Sequence, residues 1–128
     1  MMAVLIVFLG AGLGGALRHG VNLAAARLMG PAFPWGTLTV NVLGSLAMGL
    51  IAGWFAVRSG GSQHLRLFLA TGILGGFTTF STFSLDSVVL YERGDGGTAL
   101  LYMLASLALS VGALLVGLQL MRMVSAGN

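Results

Sequence analysis

Four apolar stretches alternate with short polar punctuation: about Met2 to Met29, Gly36 to Val57, Leu65 to Tyr91 and Thr98 to Met123. The hydrocarbon core of a bilayer, about 30 Å thick, takes roughly 20 apolar residues as helix, so each stretch is long enough to span it. The connections carry turn and interface signals. Gly30-Pro31-Ala32-Phe33-Pro34-Trp35 places two prolines beside an interfacial tryptophan, Arg58-Ser59-Gly60-Gly61-Ser62-Gln63-His64 is polar and glycine-rich, and Glu92 to Gly97 closes the third connection. The third stretch is interrupted internally. Gly72-Ile73-Leu74-Gly75-Gly76-Phe77-Thr78-Thr79-Phe80-Ser81-Thr82-Phe83-Ser84 sets glycines ahead of hydroxyls and phenylalanines. Backbone freed from helical bonding at membrane depth must be satisfied by protein, water or an ion, so such a break belongs at a cavity or buried site. The pattern predicts an all-α membrane protein of four transmembrane helices, the third broken near its centre, and it points to ion handling instead of anchoring.

Composition strengthens that reading. Hydrophobic residues make up 57% of the 128 residues and charged ones 7%, against about 25% charged in a soluble domain. Four spans and short loops use up the length, so residues 1–128 are expected to form a single transmembrane domain. Met1 to Leu17 has the apolar core of a signal peptide but no positive n-region, and it reads as a retained first span. With no cysteine, neither a disulfide framework nor a thiolate metal site is available. The formal charge of +3 comes from six arginines scattered singly, which argues against nucleic-acid binding.

The arginines also bear on orientation. With four spans, Arg58, Arg66 and Arg122 fall on the side of the N-terminus, Arg27 and Arg93 fall opposite, and Arg18 lies part-way into the first span. Arginine and lysine asymmetry orients membrane proteins, so this near-tie predicts weak orientation, insertion both ways up and an antiparallel, dual-topology homodimer. Small residues four apart (Gly10 and Gly14; Ser45, Gly49 and Gly53; Gly72 and Gly76) permit close helix contact, within the chain or between subunits.

Two polar stripes run along helix faces. Thr37, Asn41 and Ser45 recur at every fourth position of the second span, and Tyr102, Ser106 and Ser110 do so in the fourth. A single hydroxyl in a membrane helix usually bonds back to the preceding turn, but two complete stripes beside a hydroxyl-rich break read as a path. Asn41 can bind helices together or offer amide N–H groups to an anion. Phe80 and Phe83 share a face with Ser81, Thr82 and Ser84 interleaved, and ring edges can meet an anion without a strong grip, as conduction requires. The competing account of the pair is a hydrophobic gate. Arg18 either snorkels or faces a vestibule, and Asp86 either pairs with an arginine or sits near the interface.

Other chemistry is poorly supported. Gly10-Ala11-Gly12-Leu13-Gly14-Gly15 fits the dinucleotide fingerprint, but it lacks the preceding strand and the acidic residue about 20 positions on. His19 and His64 have no ligand-spaced partners for zinc. Without a cysteine or a G-x-S-x-G motif, and with three acids in all, the chain does not read as an enzyme.

Gly36-Thr37-Leu38-Thr39-Val40-Asn41-Val42-Leu43-Gly44-Ser45, the string from Gly72 to Ser84 and the stretch Gly10 to Arg18 together resemble the CrcB/Fluc fluoride channels of bacteria along the whole chain. The resemblance implies a dual-topology antiparallel homodimer in the bacterial plasma membrane, with two fluoride pores and a structural sodium ion at the dimer centre. It implies that Gly75 and Thr78 hold the sodium through backbone carbonyls. It further implies that Asn41, Phe80, Phe83 and the track of Tyr102, Ser106 and Ser110 line the pore, with Ser81, Thr82, Thr37 and Arg18 along the same pathway. The implied activity is passive export of cytoplasmic fluoride that entered as hydrofluoric acid. The alternative is a small multidrug-type four-helix exporter, which depends on a glutamate in its first helix; the first span here has no acid. A non-transporting membrane subunit, with glycines serving assembly alone, is the third reading.

Overall fold

The structure is a computed structural model that describes residues 1–127. Among them the ordered elements are all helical, and four helical stretches are long and apolar enough to cross a membrane: Met2–Met29, Trp35–Val57, Gln63–Glu92 and Gly96–Ala126. Their ends coincide with those expected or lie within three residues of them. The first span stops where Gly30 takes a positive φ of 78°, open to glycine at little cost, and donates its N–H to the Ala26 carbonyl at 3.1 Å. Pro34 then leads into the second span, whose start has no use for a proline N–H. Ser62 starts the third by accepting from the Leu65 N–H at 3.4 Å.

The third span is not one regular helix. Gln63–Arg66 leads into a π-helical segment, Leu67–Leu74, which is followed by the short turn Gly75–Phe77. Extended backbone at Thr78 (ψ 157°) and Thr79 (φ −152°, ψ 118°) separates this half from Phe80–Glu92. The expected interruption is present, but its cause differs from the expectation. The threonines make the break, while Gly72, Gly75 and Gly76 lie in helical turns. Gly72 and Gly76 press against the first span instead: a Cβ on Gly72 would lie 3.0 Å from the Gly10 Cα, and one on Gly76 would lie 2.9 Å from the Ala11 Cα. Small residues here permit a backbone-to-backbone approach, the usual source of helix association where lipid and side chains are equally apolar.

The other close pair is the second and fourth spans. Gly49 faces the Leu114 carbonyl, Gly53 the Met121 side chain, and Gly117 the backbone around Leu46 and Leu50. A small core of Leu90, Ala99 and Tyr102, with Phe33, Leu38 and Phe83 against it, ties the later half of the third span to the start of the fourth. Little else is enclosed. No more than 22% of any span's apolar window is buried, so most of the apolar surface must meet acyl chains or another protein.

Candidate functional site: a groove beside the helix break

The break is fastened by a side chain from another span. Asn41 Nδ2 donates to the Thr79 carbonyl at 3.0 Å, and the Thr79 N–H donates to Asn41 Oδ1 at 2.8 Å. An amide side chain carries separate donor and acceptor atoms, so it can answer both a backbone donor and a backbone acceptor at once. Thr79 also caps the following half-helix, its Oγ1 accepting from the Thr82 N–H at 3.2 Å and donating to Thr82 Oγ1 at 3.1 Å. On the near side, Thr78 folds back onto Leu74, both its N–H (3.0 Å) and its hydroxyl (2.9 Å) reaching the Leu74 carbonyl.

This arrangement releases two carbonyls in particular. In a continuous helix the Thr79 N–H would close on Gly75 and the Thr82 N–H on Thr78; both donors are diverted to side-chain oxygens. Gly75 and Thr78 are the residues expected to hold a sodium ion. A hard cation prefers oxygen ligands of this kind, and carbonyls without amide partners have their lone pairs free, so the donor set fits.

Asn41, Phe80, Phe83, Ser106 and Ser110 line one groove of about 520 Å³ between the second, third and fourth spans, together with Ser45, Met48, Thr78, Thr79 and Met103. Two members of each predicted stripe, Asn41 and Ser45 from the second span and Ser106 and Ser110 from the fourth, therefore share it, while Thr37 and Tyr102 do not line it. Ser106 is buried, and its hydroxyl has no hydrogen-bond partner. That distinguishes it from Ser84 and Ser87, whose hydroxyls bond back to Phe80 and Phe83 at 2.9 and 2.8 Å as ordinary helix serines do. Phe80 lies at the open side of the groove, 79% exposed on the single chain.

A second cavity, about 280 Å³, lies at the end of the bundle and is lined in part by Asn22, Thr37, Thr82, Asp86 and Arg93. A row of rings links the two spaces. Phe80 and Phe83 are 5.4 Å apart, Phe83 and Tyr102 5.3 Å, Tyr102 and Phe33 5.5 Å, and Phe33 and Trp35 4.6 Å. Tyr102 is wholly buried at the middle of that row, and its hydroxyl donates to Asp86 Oδ2 at 3.1 Å. Asp86 was expected to pair with an arginine or to sit at the interface; its partner in the fold is a phenol from the facing polar stripe.

The remaining predicted residues are placed less centrally. Ser81 is exposed beside the break, 3.3 Å from Thr79 Oγ1, and Arg18 lines neither of these two cavities. Several residues of the site gave weaker signals. Thr79 is the capping and clamped residue, recognisable only as one hydroxyl in a run of them. Asn22, an amide inside an apolar span, was a visible polar exception; it lies against Gly36. Met48 and Met103 were indistinguishable from packing residues.

A family model described as CrcB-like protein, Camphor Resistance (CrcB), matches residues 5–118. A protein named fluoride-specific ion channel FluC from Methylobacterium nodulans is 62% identical over 122 residues, which covers 95% of this chain and 98% of that protein. Proteins of the same name from Rhodopseudomonas palustris and Granulibacter bethesdensis are each 57% identical, over 124 and 127 residues, covering 97% and 99% of this chain and the whole of each relative.

Proposed function

The chain belongs to the CrcB-like family, and from that membership we propose that it is a fluoride-selective passive channel of the bacterial inner membrane, working as an antiparallel homodimer. It is a multi-pass membrane protein and a conduit, with no bond-making chemistry. The observation that carries the reading is the meeting of Asn41, Phe80, Phe83, Ser106 and Ser110 on one groove in which the Ser106 hydroxyl lacks a protein partner.

Each residue has a role that follows from its chemistry. A buried hydroxyl without a partner costs stability, so its retention favours a solute that needs a donor at that point. Asn41 gives one amide N–H to Thr79, and the second is left for an anion. The edges of Phe80 and Phe83 offer a weak positive potential, and weak sites let an ion leave as readily as it enters. Ser110 continues the donors toward one end and Thr37 and Thr82 toward the other, while the buried Tyr102, whose hydroxyl is given to Asp86, stands between them as a ring. Ser81 stands beside this path, and Arg18, which lines neither cavity, would act on it by raising the local anion concentration. Flux is passive, so the gradient sets its direction, outward when fluoride has accumulated in the cytoplasm.

Gly75 and Thr78 would hold a structural sodium ion through the carbonyls freed at the break. When bound, the ion supplies a fixed positive charge and ties the two half-helix ends together. Gly75 is exposed and Thr78 half-buried on the single chain, which suits a site shared with a second copy. Phe80, also bare on the single chain, gains its cover in the same way.

The test is fluoride-electrode efflux from liposomes holding the purified protein, with chloride loading for comparison. Fast fluoride release with chloride retained is expected. Equal release of the two anions would sink selectivity, and no release would sink the channel. A proton-coupled multidrug exporter remains disfavoured by the absence of an acid from the first span.

A further inference from the structure

The third span reaches the break through the π-helical segment Leu67–Leu74, a geometry rare in proteins and concentrated at functional sites. It ends on Gly75, whose N–H reaches back five residues to the Ala70 carbonyl. Relative to an α-helix, a π-turn holds an extra residue. Returning it to α geometry would turn everything after it by about 100° and move it by about 1.5 Å per residue gained. Among the residues immediately after it are Gly75 and Thr78, whose carbonyls would form the sodium site of the reading above.

The first span is built to accept the wider segment. Added to Gly10, a Cβ would stand 2.7 Å from the Phe68 carbonyl oxygen, 2.9 Å from the Gly72 Cα and 3.0 Å from the Ile73 nitrogen. Added to Gly14, it would press on the Ile73 carbonyl oxygen and stand 2.8 Å from the Phe77 nitrogen. These neighbours are backbone atoms, which cannot swing aside as side chains do. Gly12, on the same helix, faces open space.

We propose that Gly10 and Gly14 are positioning residues for the sodium site: by leaving room for the π-helical backbone they fix the angle at which the Gly75 and Thr78 carbonyls are presented. The inference rests on the sodium reading, and its test separates the two. Radiosodium binding to sodium-free protein in detergent, at rising free sodium, is measured for the wild type and for Gly10→Ala, Gly14→Ala and Gly12→Ala, with assembly checked by size. The wild type and Gly12→Ala should bind alike. Gly10→Ala and Gly14→Ala should need tenfold or more sodium, roughly the scale of losing the groups that orient metal ligands. Because coupling is reciprocal, sodium should also slow hydrogen exchange at the wild-type amides of Ile73 to Gly75.

A wild type that binds no sodium would remove the sodium site and this inference with it. Assembled Gly10→Ala and Gly14→Ala proteins with wild-type binding would overturn the positioning role alone. If neither variant assembles, the exchange experiment decides: protection of those wild-type amides supports the role, and indifference to sodium overturns it.

Discussion

Asn41 and Ser106 sit on the same groove in opposite states, one with both ends of its amide engaged by Thr79 and the other with no protein partner at all. That contrast gives them opposite stability signatures. Asn41→Leu strands the Thr79 N–H and carbonyl, at about 1–3 kcal/mol for each buried group, so both the thermal midpoint and fluoride efflux should fall, efflux by tenfold or more. Unchanged efflux would remove Asn41 from the path. Ser106→Ala deletes a hydroxyl whose burial is uncompensated, so the midpoint should rise, by the equivalent of about 1 kcal/mol, while efflux falls. A variant that is less stable and equally conductive would show that Ser106 is ordinary packing. Asn41 could be singled out in the sequence because an amide in an apolar helix must find partners. Its actual partner, 38 residues away in sequence, depends on tertiary packing that no local pattern encodes. Asp86 likewise could not be matched with Tyr102 before the third and fourth spans were set side by side.

The elements divide the labour of the third span between two residue types. Threonines interrupt the helix because Thr79 can be extended and still be satisfied, by Asn41 through its backbone and by Thr82 through its hydroxyl. Glycines bring the half-helix against the first span. Thr79→Ala should therefore cost about 1 kcal/mol, the usual loss of an N-cap, while Thr79→Ser keeps the hydroxyl and most of the stability; thermal unfolding in detergent distinguishes them. Equal loss in both variants would place the role in the methyl group instead of the cap. The approximate bounds of all four spans followed from hydrophobic run length, as did the existence of the interruption. The π-helical stretch did not, since it is the answer of one helix to the shape of another and leaves no trace in the periodicity of Leu67–Leu74.

As a whole, the molecule is a thin bundle that keeps most of its apolar surface outside. Lipid can cover Phe8 or Leu109, but the polar side chains of Asn41, Ser45, Ser106 and Ser110 on the groove are poor neighbours for acyl chains. A second copy, as proposed above, would cover it, and balanced arginines would let that copy insert the other way up. Lysines added to one end should fix a single orientation. That protein expressed alone should be silent in fluoride efflux, and co-expression with an oppositely biased version should restore flux. Full activity from the single-orientation protein would refute the antiparallel arrangement.

The two tryptophans stand near opposite ends of the second span, Trp35 against Phe33 and Trp54 beneath the Arg58 guanidinium at 5.1 Å. In a head-to-tail pair, each leaflet would contain one of each kind. A spin-labelled or brominated lipid confined to the outer leaflet would then dim half of the emission from both, and moving it to the inner leaflet would leave the spectrum unchanged. The protein would be optically blind to which way up its membrane lies.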